Sequence, residues 1–162
     1  MIYTGCRHSE ILTLRWDYVT SHHLELPDSK TGRRRIPLPR EAHDILTELP
    51  REEGNPFVIV GDVAGERLIN LQKPWNRIRK RAGIPDVRIH DLRHTYASVA
   101  MKQGIDPFTL KEILGHKNLQ TTLRYAHLAD DAVQSAAGTV ASRLAMAVRN
   151  RSATVQPLRI VR

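Results

Sequence analysis

Six residues spread over four stretches of this 162-residue chain constrain it more than any continuous segment does. They are Arg7, Lys30, His90, Arg93, His116 and Tyr125. Each sits in a recognisable local setting, and a fold that gathers them makes an anion-binding cluster with one phenol beside it. Packing an apolar core asks for no such set. Singly, each has a plainer role. Arg7 alone is a surface ion pair with Glu10, Lys30 a turn lysine, His116 the end of a helix and Tyr125 a core aromatic. His90 and His94 alone cap or pack a helix, or form an H-x-x-x-H metal pair; Arg93 between them repels a cation and no third ligand is evident, so a metal site is not expected. The joint pattern carries the argument.

The elements that would carry these residues can be read along the chain. Arg7 to Leu14 has apolar residues at helical spacing after a T-G turn. Thr20 to Pro39 predicts a β-hairpin with Lys30 at its turn. Pro39 to Leu49 predicts a helix with Ala42, Ile45, Leu46 and Leu49 on one face. F-V-I-V within Asn55 to Val60 predicts a short buried strand. Leu71 to Ala82 predicts a basic helix ending at Gly83. Ile89 to Gln103 predicts a helix with Leu92, Tyr96, Val99 and Ala100 facing in. Asp106 should cap a helix that has Pro107 at its first position and ends at Gly115. Leu119 to His127 predicts a helix carrying Tyr125, and Asp130 to Val148 an amphipathic one. The fold class is α+β, mainly helical, with a small antiparallel sheet. Residues 1–150 are expected to form one domain and 151–162 a basic, poorly ordered tail.

Charge narrows the partner. The net charge is +8 with a pI of about 10.1, which favours a polyanion, because neutralising phosphates releases counterions. Arg33, Arg34 and Arg35 form one basic run beside Lys30, and Lys73, Arg77, Lys80 and Arg81 belong to a second. Two such runs flanking the candidate residues predict a DNA-facing surface. The single cysteine, Cys6, excludes an internal disulfide, and an intracellular compartment is expected. No apolar run suits a membrane span.

The residue types point to phosphodiester chemistry. A phosphodiester in mid-transfer gathers charge on its non-bridging oxygens. Arginine's planar fork binds two such oxygens at once and stays protonated. His90 and Arg93, three residues apart, share a helical face, and His116 lies where a helix N-terminus helps hold an anion. A tyrosine can attack phosphorus and hold it as an ester. Lys30 can protonate the leaving sugar oxygen. These steps call for no metal or other cofactor.

Four strings, in order, resemble the tyrosine recombinase (phage integrase) family: T-G-C-R-H-S-E-I-L-T-L-R-W-D from Thr4, S-K-T-G-R-R-R-I-P-L from Ser29, H-D-L-R-H-T-Y-A from His90 and L-G-H-K-N-L-Q-T-T-L-R-Y-A-H from Leu114. The resemblance spans Ile2 to Asp130. It implies a site-specific DNA recombinase that cuts and rejoins double-stranded DNA through a 3′-phosphotyrosine. Arg7 and Arg93 would bind the scissile phosphate, and Lys30 would act as general acid toward the 5′ hydroxyl. His90 would be a general acid/base near Tyr125, His116 would hydrogen-bond a phosphate oxygen, and Tyr125 would be the nucleophile. Glu10 and Asp17 read as scaffold. The resemblance further implies tetramers at synapsis and a cytoplasmic, nucleoid-associated protein of bacterial, archaeal or phage origin. Family members carry an upstream DNA-binding domain and further helices before the T-G turn, so the chain reads as truncated at its N-terminus. The alternatives are an impaired remnant that only binds DNA or other subunits, and a type IB topoisomerase-like enzyme. The stripe Val133, Ala136, Ala137, Val140, Leu144 and Val148 can pack in cis or on a neighbouring subunit; packing in cis is expected.

Overall fold

The computed structural model describes residues 1–29 and 32–152. Lys30 and the tail 153–162 therefore lie outside the described residues. Helix α1 (His8–Leu12) opens after Arg7, where the Glu10 carboxylate accepts the Arg7 backbone N–H at 2.7 Å. That bond satisfies one of the donors a helix start leaves unpaired. A 3-10 turn at Trp16–Tyr18 leads into strand β1 (His23–Ser29), which pairs antiparallel with β2 (Gly32–Pro37). Leu24 faces Ile36 and Leu26 faces Arg34 across the ladder. Strand residues two apart share a face, so Arg34 points the same way as Ile36, into the body. Arg33 and Arg35 point out.

Helix α2 (Arg40–Glu48) follows Pro39 and buries Ala42, with Leu46 and Leu49 packed beside it. Ile45, expected on that face, is half exposed. F-V-I-V does not form a strand. Phe57 bridges Arg15 and Val60 bridges Arg67, each as a single rung with a different partner, so no continuous ladder forms. Val58 is buried nonetheless, and its N–H donates to the Leu14 carbonyl at 2.9 Å. Helix α3 (Gln72–Arg81) buries Trp75, whose Nε1 donates to the Val87 carbonyl at 2.9 Å.

Helix α4 (Asp91–Lys102) buries Arg93, Ala97 and Met101. The expected inward stripe is corrected by this: Leu92, Tyr96 and Ala100 are half-buried and Val99 is 53% exposed. The stripe is rotated because its first inward residue is an arginine, which apolar periodicity ignores. Helix α5 (Pro107–Leu114) is built as its sequence predicts. Asp106 Oδ1 accepts the N–H groups of Phe108 and Thr109, Pro107 takes the first position, and Gly115 ends it at φ +63°. Helix α6 (Gln120–Leu123) stops short, and Tyr125 sits at the break before a 3-10 turn at Ala126–Ala129. Helix α7 (Asp130–Ser152) continues directly from that turn. Val140, Leu144 and Val148 are 58%, 62% and 64% exposed, so the expected packing in cis does not occur along this part of the helix. No helix among the described residues is long and apolar enough to cross a membrane.

Two apolar clusters result. The first gathers Cys6, Leu14, Leu24, Ile36, Leu38 and Val58 around the hairpin. The second gathers Ala97, Met101, Leu110, Leu114 and Tyr125 among the helices. Each fully buried leucine contributes about 1.5–3 kcal/mol. Polar bonds described below span the seam between the clusters.

Candidate active site

The C-terminus of α5 organises the seam. The last carbonyls of a helix lack partners within it and carry the negative end of its dipole. Three consecutive carbonyls each accept from a different arginine. Ile113 accepts from Arg34 Nη2 at 2.7 Å, Leu114 from Arg93 Nη2 at 2.7 Å and Gly115 from Arg7 Nη2 at 2.8 Å. Arg93 also donates through Nη1 to the Gly5 carbonyl at 2.6 Å, joining α4 to the N-terminal turn. Glu10 Oε1 accepts from Arg7 Nη1 at 2.8 Å and from Arg34 Nη1 at 2.6 Å. Arginines from an N-terminal turn, a hairpin and a helix thus converge on one helix end, and the first two also on one carboxylate. Gly115 makes room for this: its left-handed backbone favours glycine, and a Cβ there would collide with the Arg34 guanidinium.

The charges do not cancel. Two guanidiniums, Arg7 and Arg34, share the single carboxylate of Glu10, which is 6% exposed, and Arg93 adds a third positive charge fastened to carbonyls alone. Burial pushes the Glu10 carboxyl up, but the Arg7 amide and the Arg34 and Arg7 guanidiniums outweigh it and hold the group below the usual range. Burial, then Arg7, pulls Arg93 down to about 10, which leaves it charged at neutral pH. Burial, then Arg93 and Arg7, pulls His116 down to about 4, so its imidazole is neutral there. His116 Nδ1 pairs with Thr122 Oγ1 at 2.8 Å, and Thr122 is fully buried. A partly desolvated site with surplus positive charge favours an anion.

Tyr125 is 8% exposed. Burial pushes its phenol up, against Arg124 and Arg93, so it is protonated at neutral pH. Its hydroxyl is hydrogen-bonded to His94 Nδ1. The rings of His90 and His94 meet edge-on with centroids 4.9 Å apart. His90 itself is exposed at the start of α4.

Five of the six predicted residues, Arg7, His90, Arg93, His116 and Tyr125, are therefore linked by these bonds, ring contacts and mutual fields. Lys30 lies outside the described residues. Among the predicted DNA contacts, Arg33, Arg35, Lys73, Arg77, Lys80 and Arg81 are exposed. Arg34 is the exception, with a side chain 9% exposed and tied to Glu10. Its alternation with Ile36 and Leu38 was the signal that it faces inward.

Residues 1–132 match the model of the phage integrase family. The chain belongs to that family. It is 34% identical over 135 residues to the integrase of Haemophilus phage HP1, covering 82% of this chain and 36% of that protein. It is 31% identical over 135 residues to the tyrosine recombinase XerA of Saccharolobus solfataricus, covering 79% of this chain and 43% of that protein. The chain thus spans less than half the length of these relatives. The solved catalytic domain of bacteriophage HP1 integrase superposes with a TM-score of 0.62 at 31% identity, covering 85% of this chain and 76% of that one. The mainly helical fold with its two-stranded antiparallel sheet is that of an integrase catalytic domain. Within this phage integrase fold, sequence reasoning missed two residues of the site, His94 and Arg34. His94 sits one turn after His90, a spacing that puts both rings on one face.

Proposed function

We propose that this chain is the catalytic domain of a site-specific DNA recombinase that cleaves and rejoins double-stranded DNA through a 3′-phosphotyrosine. The observation that carries the reading is the surplus positive charge of Arg7, Arg34 and Arg93 around one carboxylate, with a buried phenol close enough to feel Arg93. Arg7 and Arg93 hold the scissile phosphate with the guanidinium N–H groups left after their carbonyl and carboxylate bonds. Fixed donors aimed at developing charge are the strongest means a rigid site has of lowering such a barrier. His116 has Nδ1 occupied by Thr122, which leaves Nε2 to face a phosphate oxygen. Tyr125 attacks phosphorus, and the ester it forms conserves the bond energy for rejoining. Lys30 protonates the departing 5′ oxygen. His90 serves as an acid/base near Tyr125.

Exposed Arg33, Arg35, Lys73, Arg77, Lys80 and Arg81 supply sequence-independent contacts to the DNA backbone. The exposed stripe of α7 packs on a second copy when recombining sites are brought together, in tetramers. A cytoplasmic protein acting on the nucleoid fits this chemistry.

The test is covalent trapping in EDTA on nicked duplexes with randomised sequence around the nick. The parent chain should give a detergent-stable protein–DNA adduct and Tyr125→Phe none, at unchanged DNA affinity. An adduct that persists in Tyr125→Phe refutes the nucleophile.

A further inference from the structure

The hydroxyl of Tyr125 meets a group to which the six-residue pattern gave no role. Its hydrogen bond goes to His94 Nδ1, and the two rings stand with centroids 6.0 Å apart, tilted by 45°. Tyr125 is held at the break after α6 and His94 on the first turn of α4, so two separate elements fix the pair. His90 lies behind, edge-on to His94. We propose that His94 is the base that takes the Tyr125 proton as the phenol attacks phosphorus. This rests on the strand-cleavage reading above and deepens it.

The step balances. The Tyr125 Oη–phosphorus bond forms, the bond from phosphorus to the 5′ oxygen breaks, and the Oη proton passes to His94 Nδ1. The departing 5′ oxygen takes its proton from Lys30. On rejoining, the same groups run in reverse: the 5′ hydroxyl attacks, Lys30 receives its proton, and His94 returns the first proton to Oη as the tyrosine leaves. His90, one ring further out, feeds or drains His94.

The surroundings suit this task. Burial lowers the basicity of His94; Asp91 opposes that, while Arg124, Arg88 and Arg93 reinforce it, and His90 is its ring neighbour. The imidazole is therefore uncharged at neutral pH, with Nδ1 at the hydroxyl of a phenol that burial keeps protonated. A general base must lie within hydrogen-bond reach of the proton it abstracts, and His94 meets that requirement in the free protein.

Two measurements test the proposal. The first is the tautomer of His94 in the free chain, read from nitrogen–proton correlations of labelled histidine. The proposal requires Nδ1 to be the unprotonated nitrogen; a proton on Nδ1 overturns it. The second is the rate of adduct formation on nicked duplexes whose 5′-bridging oxygen is sulfur, a leaving group that needs no acid. His94→Gln keeps a hydrogen-bonding group but cannot take a proton. It should slow adduct formation by about a hundredfold, the lower end of what a positioned base supplies, and added imidazole should restore part of the rate to His94→Ala. His90→Gln should slow it less. His94→Gln at the parent rate, or His90→Gln slower than His94→Gln, overturns the assignment of the base alone. A parent chain that forms no adduct on any duplex of the pool overturns the strand-cleavage reading, and the role of His94 with it.

Discussion

The seam between the two apolar clusters and the C-terminal helix are held in opposite ways. At the seam, three arginines from distant parts of the chain are fastened to consecutive carbonyls at the end of α5, two of them also to Glu10, and no buried side-chain nitrogen or oxygen among the described residues lacks a partner. Along α7, large apolar side chains stand in solvent. The seam is polar yet buried, and the stripe of α7 from Val140 to Val148 is apolar yet exposed. Polarity therefore does not track exposure in this molecule. The apolar stripe is the kind of surface a partner covers.

That contrast can be broken from either side. The largest expected loss of stability comes from Glu10→Gln. It removes the one carboxylate between Arg7 and Arg34 and leaves two guanidiniums facing each other without compensation. Breaking a buried pair in this way costs about 3–5 kcal/mol, read as a lowered midpoint in urea. Loss of less than about 1 kcal/mol would mean the arginines are held by the α5 carbonyls alone.

A smaller effect should follow pH. The folded His116 sits at about 4, below its unfolded value of about 6.5. The unfolded chain therefore binds more protons between those values, so stability falls as pH drops from about 6.5 to about 4. His90 and His94 are lowered too and act in the same direction. The lowered Glu10 carboxyl stabilises the fold above its unfolded pKa, and that contribution is lost further into acid, as pH falls through its folded value. Denaturation midpoints measured every half unit should slope across this range, and His116→Gln should flatten part of the slope. An unchanged slope in His116→Gln would remove His116 from the account.

The smallest effect belongs to α7. Leu144→Ser should change monomer stability by no more than about 0.5 kcal/mol, as exposed substitutions do, because Leu144 is 62% exposed. A loss above 1.5 kcal/mol would mean the stripe is packed in solution.

Locally encoded features were legible in the sequence. Helix α5 came through whole, because Asp106, Pro107 and Gly115 act through their own backbone neighbours. The two strands of the hairpin were legible from their alternation. What was missed depends on partners far along the chain. F-V-I-V lacks a continuous strand to pair with, so its apolar run became single bridges. The inward face of α4 begins with Arg93, and a reading of apolar periodicity gives an arginine no reason to be buried; the carbonyls of Gly5 and Leu114 supply it. Arg34 stands in a run of charged neighbours, and only its pairing face sets it apart. The role of His94 depends on Tyr125, on another element, which its own helix does not reveal.

An arginine pocket at the end of α5 that presents a phosphate to Tyr125 is tested by digesting the trapped adduct with nuclease and protease and locating the residual nucleotide by mass spectrometry. A single modified residue, Tyr125, bearing a 3′-linked nucleotide is expected. Modification at any other side chain, or a nucleotide linked through its 5′ phosphate, would contradict it.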